Sequence, residues 1–208
     1  MKRRPVLAGA GAACAFLLAG CTADGPGGPD DGPQEESPTP EGVPVDIVSR
    51  ADKPDVPVEY GVEMVESLAT PERPARVRVS ITNTADSTVA LGEERAVQFH
   101  HVTSADSTLY LHPASEDTYT GPVNPGCWRL TEAVAVPEYY GVIELASGDV
   151  RHAESLVYGH QKLPEGECLP AGEHQVETMG VTADDAEAIG DGDKETEFEW
   201  GFTLRVGD

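Results

Sequence analysis

The chain has 208 residues, with 14 Lys and Arg against 37 Asp and Glu and a formal net charge of −23 at pH 7. Such a balance repels phosphate backbones and excludes a nucleic-acid partner; apolar alternation through the second half excludes a wholly disordered acidic chain. The acids are spread along the length, the pattern expected of a protein built for brine. At molar salt the Debye length is about 3 Å, so carboxylate repulsion is screened while surface hydration persists.

Taken in chain order, Lys2-Arg3-Arg4 is a basic leader and Val6 to Gly20 a short apolar run rich in Gly and Ala. The run is too short to span a bilayer comfortably, so the reading is a signal peptide over 1–20, with Arg3-Arg4 similar to a twin-arginine export signal. Leu18-Ala19-Gly20-Cys21 is a lipobox, which makes Cys21 the lipidated first residue of the mature chain. The expected address is the extracellular face of the cell membrane, with a two-chain lipid as the membrane contact, because one acyl chain anchors only marginally. Loss of the leader leaves 11 basic residues and a net charge near −26, with Lys53, Lys162 and Lys194 as the remaining lysines. Residues 21–42 carry Gly, Pro and acid with almost no large apolar residue, and read as a flexible tether.

From Val43 onward the pattern becomes that of one β domain, 43–208. Val56, Val58, Tyr60, Val62 and Met64 alternate with polar or small residues, as do Val77, Val79 and Ile81. Asn83 to Ser87 is a polar turn and Thr88 to Leu91 resumes apolar character. Val97, Phe99 and His101 share one parity, Leu109 and Leu111 another, and Trp128 and Leu130 alternate with Cys127 and Arg129. Tyr139–Leu145 and Glu154–Tyr158 are short apolar runs; His174, Val176 and Thr178 alternate with Gln175, Glu177 and Met179. Thr182–Ala188 allows one helical turn. Phe198, Trp200, Phe202, Leu204 and Val206 put five large apolar side chains on one face of the last segment. Eight or nine short strands predict a single antiparallel β-sandwich, with a barrel as the alternative.

Two stretches carry a family resemblance. Val77-Arg78-Val79-Ser80-Ile81-Thr82-Asn83-Thr84 resembles the strand and Asn-Thr turn of immunoglobulin-like accessory domains. Leu145-Ala146-Ser147-Gly148-Asp149, with Pro170-Ala171-Gly172-Glu173-His174 further on, resembles their Leu-x-x-Gly-Glu … Pro-x-Gly-x-Tyr layout. Asp149 stands where Glu is usual and His174 where an aromatic is usual. With the leader, the lipobox and the low lysine content, the chain resembles twin-arginine-exported lipoproteins of haloarchaea that carry an immunoglobulin-like domain. The resemblance spans about 73–206 and implies a fold and an address, without an activity.

Four cysteines are present. Cys14 leaves with the leader and Cys21 takes the lipid, so in an oxidising location Cys127 and Cys168 are expected to pair. The bridge would close a loop of about 41 residues, worth about 4 kcal/mol by chain entropy. A copper site is the sharper alternative: Cys168, His174 and Met179 follow the blue-copper order, with His100, His101 or His112 upstream. Strand parity points Met179 away from His174, and using Cys168 would orphan Cys127. A surface Zn or Cu site on His100, His101 and His112, with His152 or His160 near, is the other metal option. Adjacent strand residues face opposite ways, so His100 and His101 are not expected to chelate together.

Asp191-Gly192-Asp193-Lys194-Glu195 lacks the EF-hand glycine and glutamate positions and reads as an acidic hairpin tip. Ser155 lacks a nucleophile elbow, and no zinc-protease, phosphate-loop or dinucleotide motif occurs. The expectation is therefore a non-enzymatic surface lipoprotein, with no catalytic residue and no cofactor, that binds or positions an envelope protein or glycan. The alternatives are a metal- or small-molecule-binding lipoprotein resembling a copper carrier, and a hydrolase with scattered residues.

Overall fold

A computed structural model describes residues 41–94, 98–115, 126–136 and 140–207. The signal peptide, Cys21, nearly all of the tether, Val97 and Tyr139 lie outside the described residues. Among the described residues, eleven strands form two antiparallel sheets. The six-stranded sheet runs β3 (Leu68–Ala69), β1 (Val43–Arg50), β11 (Thr196–Val206), β10 (Gly172–Ala183), β5 (Val89–Glu94) and β8 (Tyr140–Leu145). The five-stranded sheet runs β2 (Val58–Glu66), β4 (Arg76–Asn83), β9 (Val150–Gly159), β7 (Leu109–Pro113) and β6 (Val102–Thr103). A short 3-10 turn, Ala186–Ala188, stands where one helical turn was expected. Among the described residues no helix is long and apolar enough to cross a membrane.

The sandwich follows from period-two burial. Val77, Val79 and Ile81 of β4 are buried while Arg76, Arg78 and Ser80 are not. All five apolar residues of the last segment, Phe198 to Val206, are buried on the inner face of β11. They join Val58, Tyr60, Leu109, Leu111 and Val157 from the opposite sheet in one continuous core. β10 and β11 pair over their length, Gly172 opposite Val206 to Thr182 opposite Thr196. Within that ladder Gly180 lies opposite Phe198, and a Cβ on Gly180 would come within 2.5 Å of the Phe198 ring. The Asn83 side chain, buried at the end of β4, donates to the carbonyls of Ser87 and Leu145 and accepts from Ala85 N–H, tying the polar turn to the end of β8.

Two segments depart from the expected strands. Residues 98–101 are a turn: Gln98, Phe99 and His101 have φ of 74°, 59° and 58°. That left-handed backbone breaks the alternation, so Phe99 and His101 are both buried for reasons other than strand parity. Trp128 and Leu130 are buried from an irregular segment that makes one parallel bridge, Arg129 with Gly159. The indole N–H of Trp128 donates to the Thr70 carbonyl at 2.7 Å.

Cys127 and Cys168 are disulfide-bonded, as expected from the cysteine count. The bridge closes the chain around Gly159. Gly159 N–H donates to Trp128 O, Leu130 N–H donates to Gly159 O, and a Cβ on Gly159 would sit 1.7 Å from the Cys168 carbonyl oxygen. Gly159→Ala is accordingly expected to destabilise by about 3 kcal/mol or more through backbone displacement. Gly148→Ala, whose Cβ meets nothing within 4 Å at a φ of +76°, is expected to cost about 1 kcal/mol from the left-handed backbone alone. Urea unfolding of the two variants checks the contrast.

Candidate functional site

The most unusual group in the core is a carboxylate. Glu93 occupies the inward parity of β5 with Val89 and Leu91, opposite Gly180, and is fully buried. Its Oε1 accepts the Tyr60 hydroxyl from β2 at 2.7 Å, so one hydrogen bond joins the two sheets through the core. Its Oε2 accepts the backbone N–H groups of Gln98 at 2.8 Å and Phe99 at 3.3 Å. Burial pushes the Glu93 carboxyl from an ordinary 4.5 up to about 7, against the opposing pull of donors on Tyr60, Phe99, Gln98 and Thr178. Burial, and then the carboxylate, raise the Tyr60 phenol well above its usual value.

Around this pair stand Phe99, Phe198, Trp200 and Phe202. The Tyr60 ring stacks on Trp200 with centroids 4.9 Å apart, and Phe99 meets Trp200 edge-on at 5.6 Å. The 98–101 turn is thus held by Glu93 through its N–H groups, by the aromatic cluster through the Phe99 ring, by the Ser155 hydroxyl donating to the Phe99 carbonyl at 3.4 Å, and by the Tyr110 hydroxyl against His101. What remains of the turn forms one wall of a cleft of about 340 Å³. The cleft lies where edge strand β6 meets the exposed face of β10 and β11, and is lined by His100, His101, Thr103, Glu177, Met179 and Glu199 among others. Met179 is 48% exposed and lies opposite Glu199 in the ladder.

The structure separates the six residues considered for metal. Cys168 is committed to its disulfide. His174 is buried on the inner face of β10, the face opposite Met179, as strand parity requires. Its Nδ1 lies 2.7 Å from Asp106 Oδ2 and 2.8 Å from Thr108 Oγ1, and its Nε2 donates to the Pro170 carbonyl at 2.9 Å. His112 is buried on the outer face of β7, its Nδ1 2.9 Å from Pro113 O and its Nε2 without a hydrogen-bond partner among the described residues. It belongs to an aromatic cluster with His101, Tyr110 and Tyr158. His100, His101 and Met179 alone share the cleft. His101 directs Nδ1 to the Tyr110 hydroxyl at 2.9 Å. Among the described residues, no group of three or more His, Cys, Asp or Glu is placed to hold a metal ion.

One constellation resembles hydrolase chemistry by residue type: Ser104, Asp106, Thr108 and His174. Its geometry is that of a staple. Ser104 Oγ donates to Asp106 Oδ1 at 2.6 Å, Thr108 Oγ1 donates to the same oxygen at 2.7 Å, and His174 ties the turn to Pro170. Partial burial pulls the Asp106 carboxyl upward, but these donors and His174 hold it well below the usual carboxylate range. Both ring nitrogens of His174 are occupied, so it has no free nitrogen to serve as a general base.

The sequence reading missed Glu93, Glu177 and Glu199. Glu93 had a signal, since a charged residue on the apolar parity Val89, Leu91, Glu93 must find partners in the core. Glu177 and Glu199 had none, being ordinary outward strand residues brought to the turn by folding. No protein-family model matches the chain, and no curated protein or solved structure is significantly similar to it.

The Glu93 carboxyl sets a pH dependence. The folded state keeps its proton up to a higher pH than the unfolded chain does. Its contribution to stability is therefore full below about pH 4.5 and is lost as pH rises to about 7. The expected loss is about 3 kcal/mol across that window. Urea midpoints between pH 4.5 and 8 should fall in wild type and flatten in Glu93→Gln.

Proposed function

We propose that this chain is a lipid-anchored, non-enzymatic β-sandwich that acts on the extracellular face of the cell membrane by contact, positioning another envelope protein or glycan. Its export signal is of the twin-arginine type, its anchor is a lipid on Cys21, and its tether spans residues 21–42. Its charge is an adaptation to brine, and it belongs with the immunoglobulin-like lipoproteins of haloarchaea that it resembles. The carrying observation is the division of labour among its polar side chains. The Ser104, Asp106, Thr108 and His174 set is consumed by internal hydrogen bonds, whereas Glu177, Met179 and Glu199 line an open cleft. A cleft offering thioether and carboxylate suits recognition of a mixed polar and apolar surface.

A second reading, metal binding, draws on the same cleft, because it gathers His100, His101 and Met179. It has lost Cys168 and His174 from the blue-copper set.

Placing a photo-crosslinking residue at position 179 in cells grown at native salt is expected to give a discrete adduct with an envelope component. The same residue at Ser80, on the far sheet, should give none. Equal labelling from both positions would remove the cleft from the proposal. A hydrolytic activity abolished in a folded His174→Asn variant would remove the non-enzymatic reading. Stoichiometric copper or zinc on the purified protein, lost in Met179→Ala, would favour the second reading. Cys21→Ser is expected to release the protein into the medium; retention in the membrane fraction would contradict the anchor.

A further inference from the structure

The 98–101 turn is costly to hold closed. Gln98, Phe99 and His101 all adopt left-handed backbone without being glycine, each at an energetic cost. Among the described residues, the buried Gln98 side-chain nitrogen has no hydrogen-bond partner. Against these costs stand the Phe99 ring in the aromatic cluster, the Ser155 hydroxyl on the Phe99 carbonyl and the Tyr110 hydroxyl against His101, and the Glu93 carboxyl. The Phe99 ring contacts carry no charge, but the N–H bonds to Glu93 do. A hydrogen bond to an ionised acceptor is about twice as strong as one between neutral groups.

We infer that Glu93 is a protonation-dependent latch: its ionised carboxyl clamps the 98–101 turn against the core, and its neutral form releases the turn and opens the wall of the cleft that carries His100 and His101. The inference rests on the cleft being the contact site and adds its regulation. When Glu93 takes up a proton, the Tyr60 hydroxyl can rotate to accept it. The N–H groups of Gln98 and Phe99 have fixed directions and lose the charge that strengthened their bonds. A carboxyl driven toward neutral pH by burial makes this exchange accessible without acid denaturation.

From β2 Glu93 faces Tyr60, whose phenol stays protonated throughout this range. From β10 it faces Thr178, which does not titrate. The neighbouring aromatic cluster is supplied by Phe198 and Trp200 of β11. His101, in the turn itself, directs Nδ1 to the Tyr110 hydroxyl, and the Glu93→Gln comparison separates its contribution from that of Glu93. Arg95 lies outside the described residues.

The latch has a signature that a purely structural carboxylate lacks. Ionisation weakens the whole fold, as derived above, yet tightens the turn, so local and global stability should move in opposite directions with pH. The experiment is amide hydrogen exchange on the mature chain between pH 5.5 and 8.5, corrected for intrinsic rates, beside urea unfolding at each pH. Protection at Gln98 and Phe99 is expected to rise by about tenfold or more, while the urea midpoint falls. In Glu93→Gln, protection at these two amides should stay low at every pH, while Val176 and Phe202 keep theirs. Tyr60→Phe removes one donor to the carboxylate and should shift the wild-type transition to higher pH. Protection at Gln98 and Phe99 that falls in step with global stability, or stays unchanged across the range, overturns the latch, and wild type alone suffices to show it. Exchange requires no partner, so failure here leaves the crosslinking result intact, and failure of crosslinking leaves the latch intact.

Discussion

The two sheets are joined through their core by a hydrogen bond from the Tyr60 hydroxyl to the Glu93 carboxyl. Among the described residues Glu93 is the only buried acid in a chain dominated by acids. A buried carboxyl is tolerated only where donors surround it. Here the donors come from β2, from β10 and from the 98–101 turn. The requirement fixes three things together: the pairing of Tyr60 with Trp200, the insertion of Phe99, and the left-handed path of the turn. The cleft wall is thus a consequence of satisfying one carboxylate.

The same economy governs the cations. Arg78 bridges β2, β4 and β9 by bonding Glu63 and Glu154, and Arg76 extends the ladder to Glu66. Arg129 donates to the carbonyls of Gln161, Pro164 and Glu167, holding the loop before Cys168. Arg50 donates to the Val62 carbonyl and Arg205 pairs with Glu173. Individually, exposed pairs contribute little, and salt screens them further. Their role in so acidic a chain is to place the few positive charges between carboxylates that would otherwise repel across neighbouring strands.

Loops, more than strands, carry the unusual chemistry, and each is fastened by a side chain from elsewhere in the chain. The 104–108 turn is held by His174, the 126–130 segment by the disulfide and Trp128, and the 98–101 turn by Glu93. Of these fastenings the disulfide was legible in advance, because setting aside Cys14 and Cys21, which the sequence assigns to an expected leader and an expected lipid, leaves one pair. The outward placement of Met179 relative to His174 was also legible, since period two needs no tertiary information. The path of 98–101 was not. Its apolar parity imitates a strand, and only the buried carboxyl explains why the backbone turns left-handed there.

Amino-acid order alone therefore determined the all-β class, the inner face of β11 and the disulfide partners, because periodicity and cysteine count are local or countable properties. It also held an unread signal at Glu93, an acid on the apolar parity of Val89 and Leu91, without naming its partners. The tertiary structure decided which distant groups meet: Tyr60 with Glu93, His174 with Asp106, and the 98–101 turn with the outer face of β10 and β11. Those meetings depend on strand order and on loop paths, and they are selected by the burial and hydrogen-bonding needs of the assembled sandwich. No local pattern in the chain encodes them.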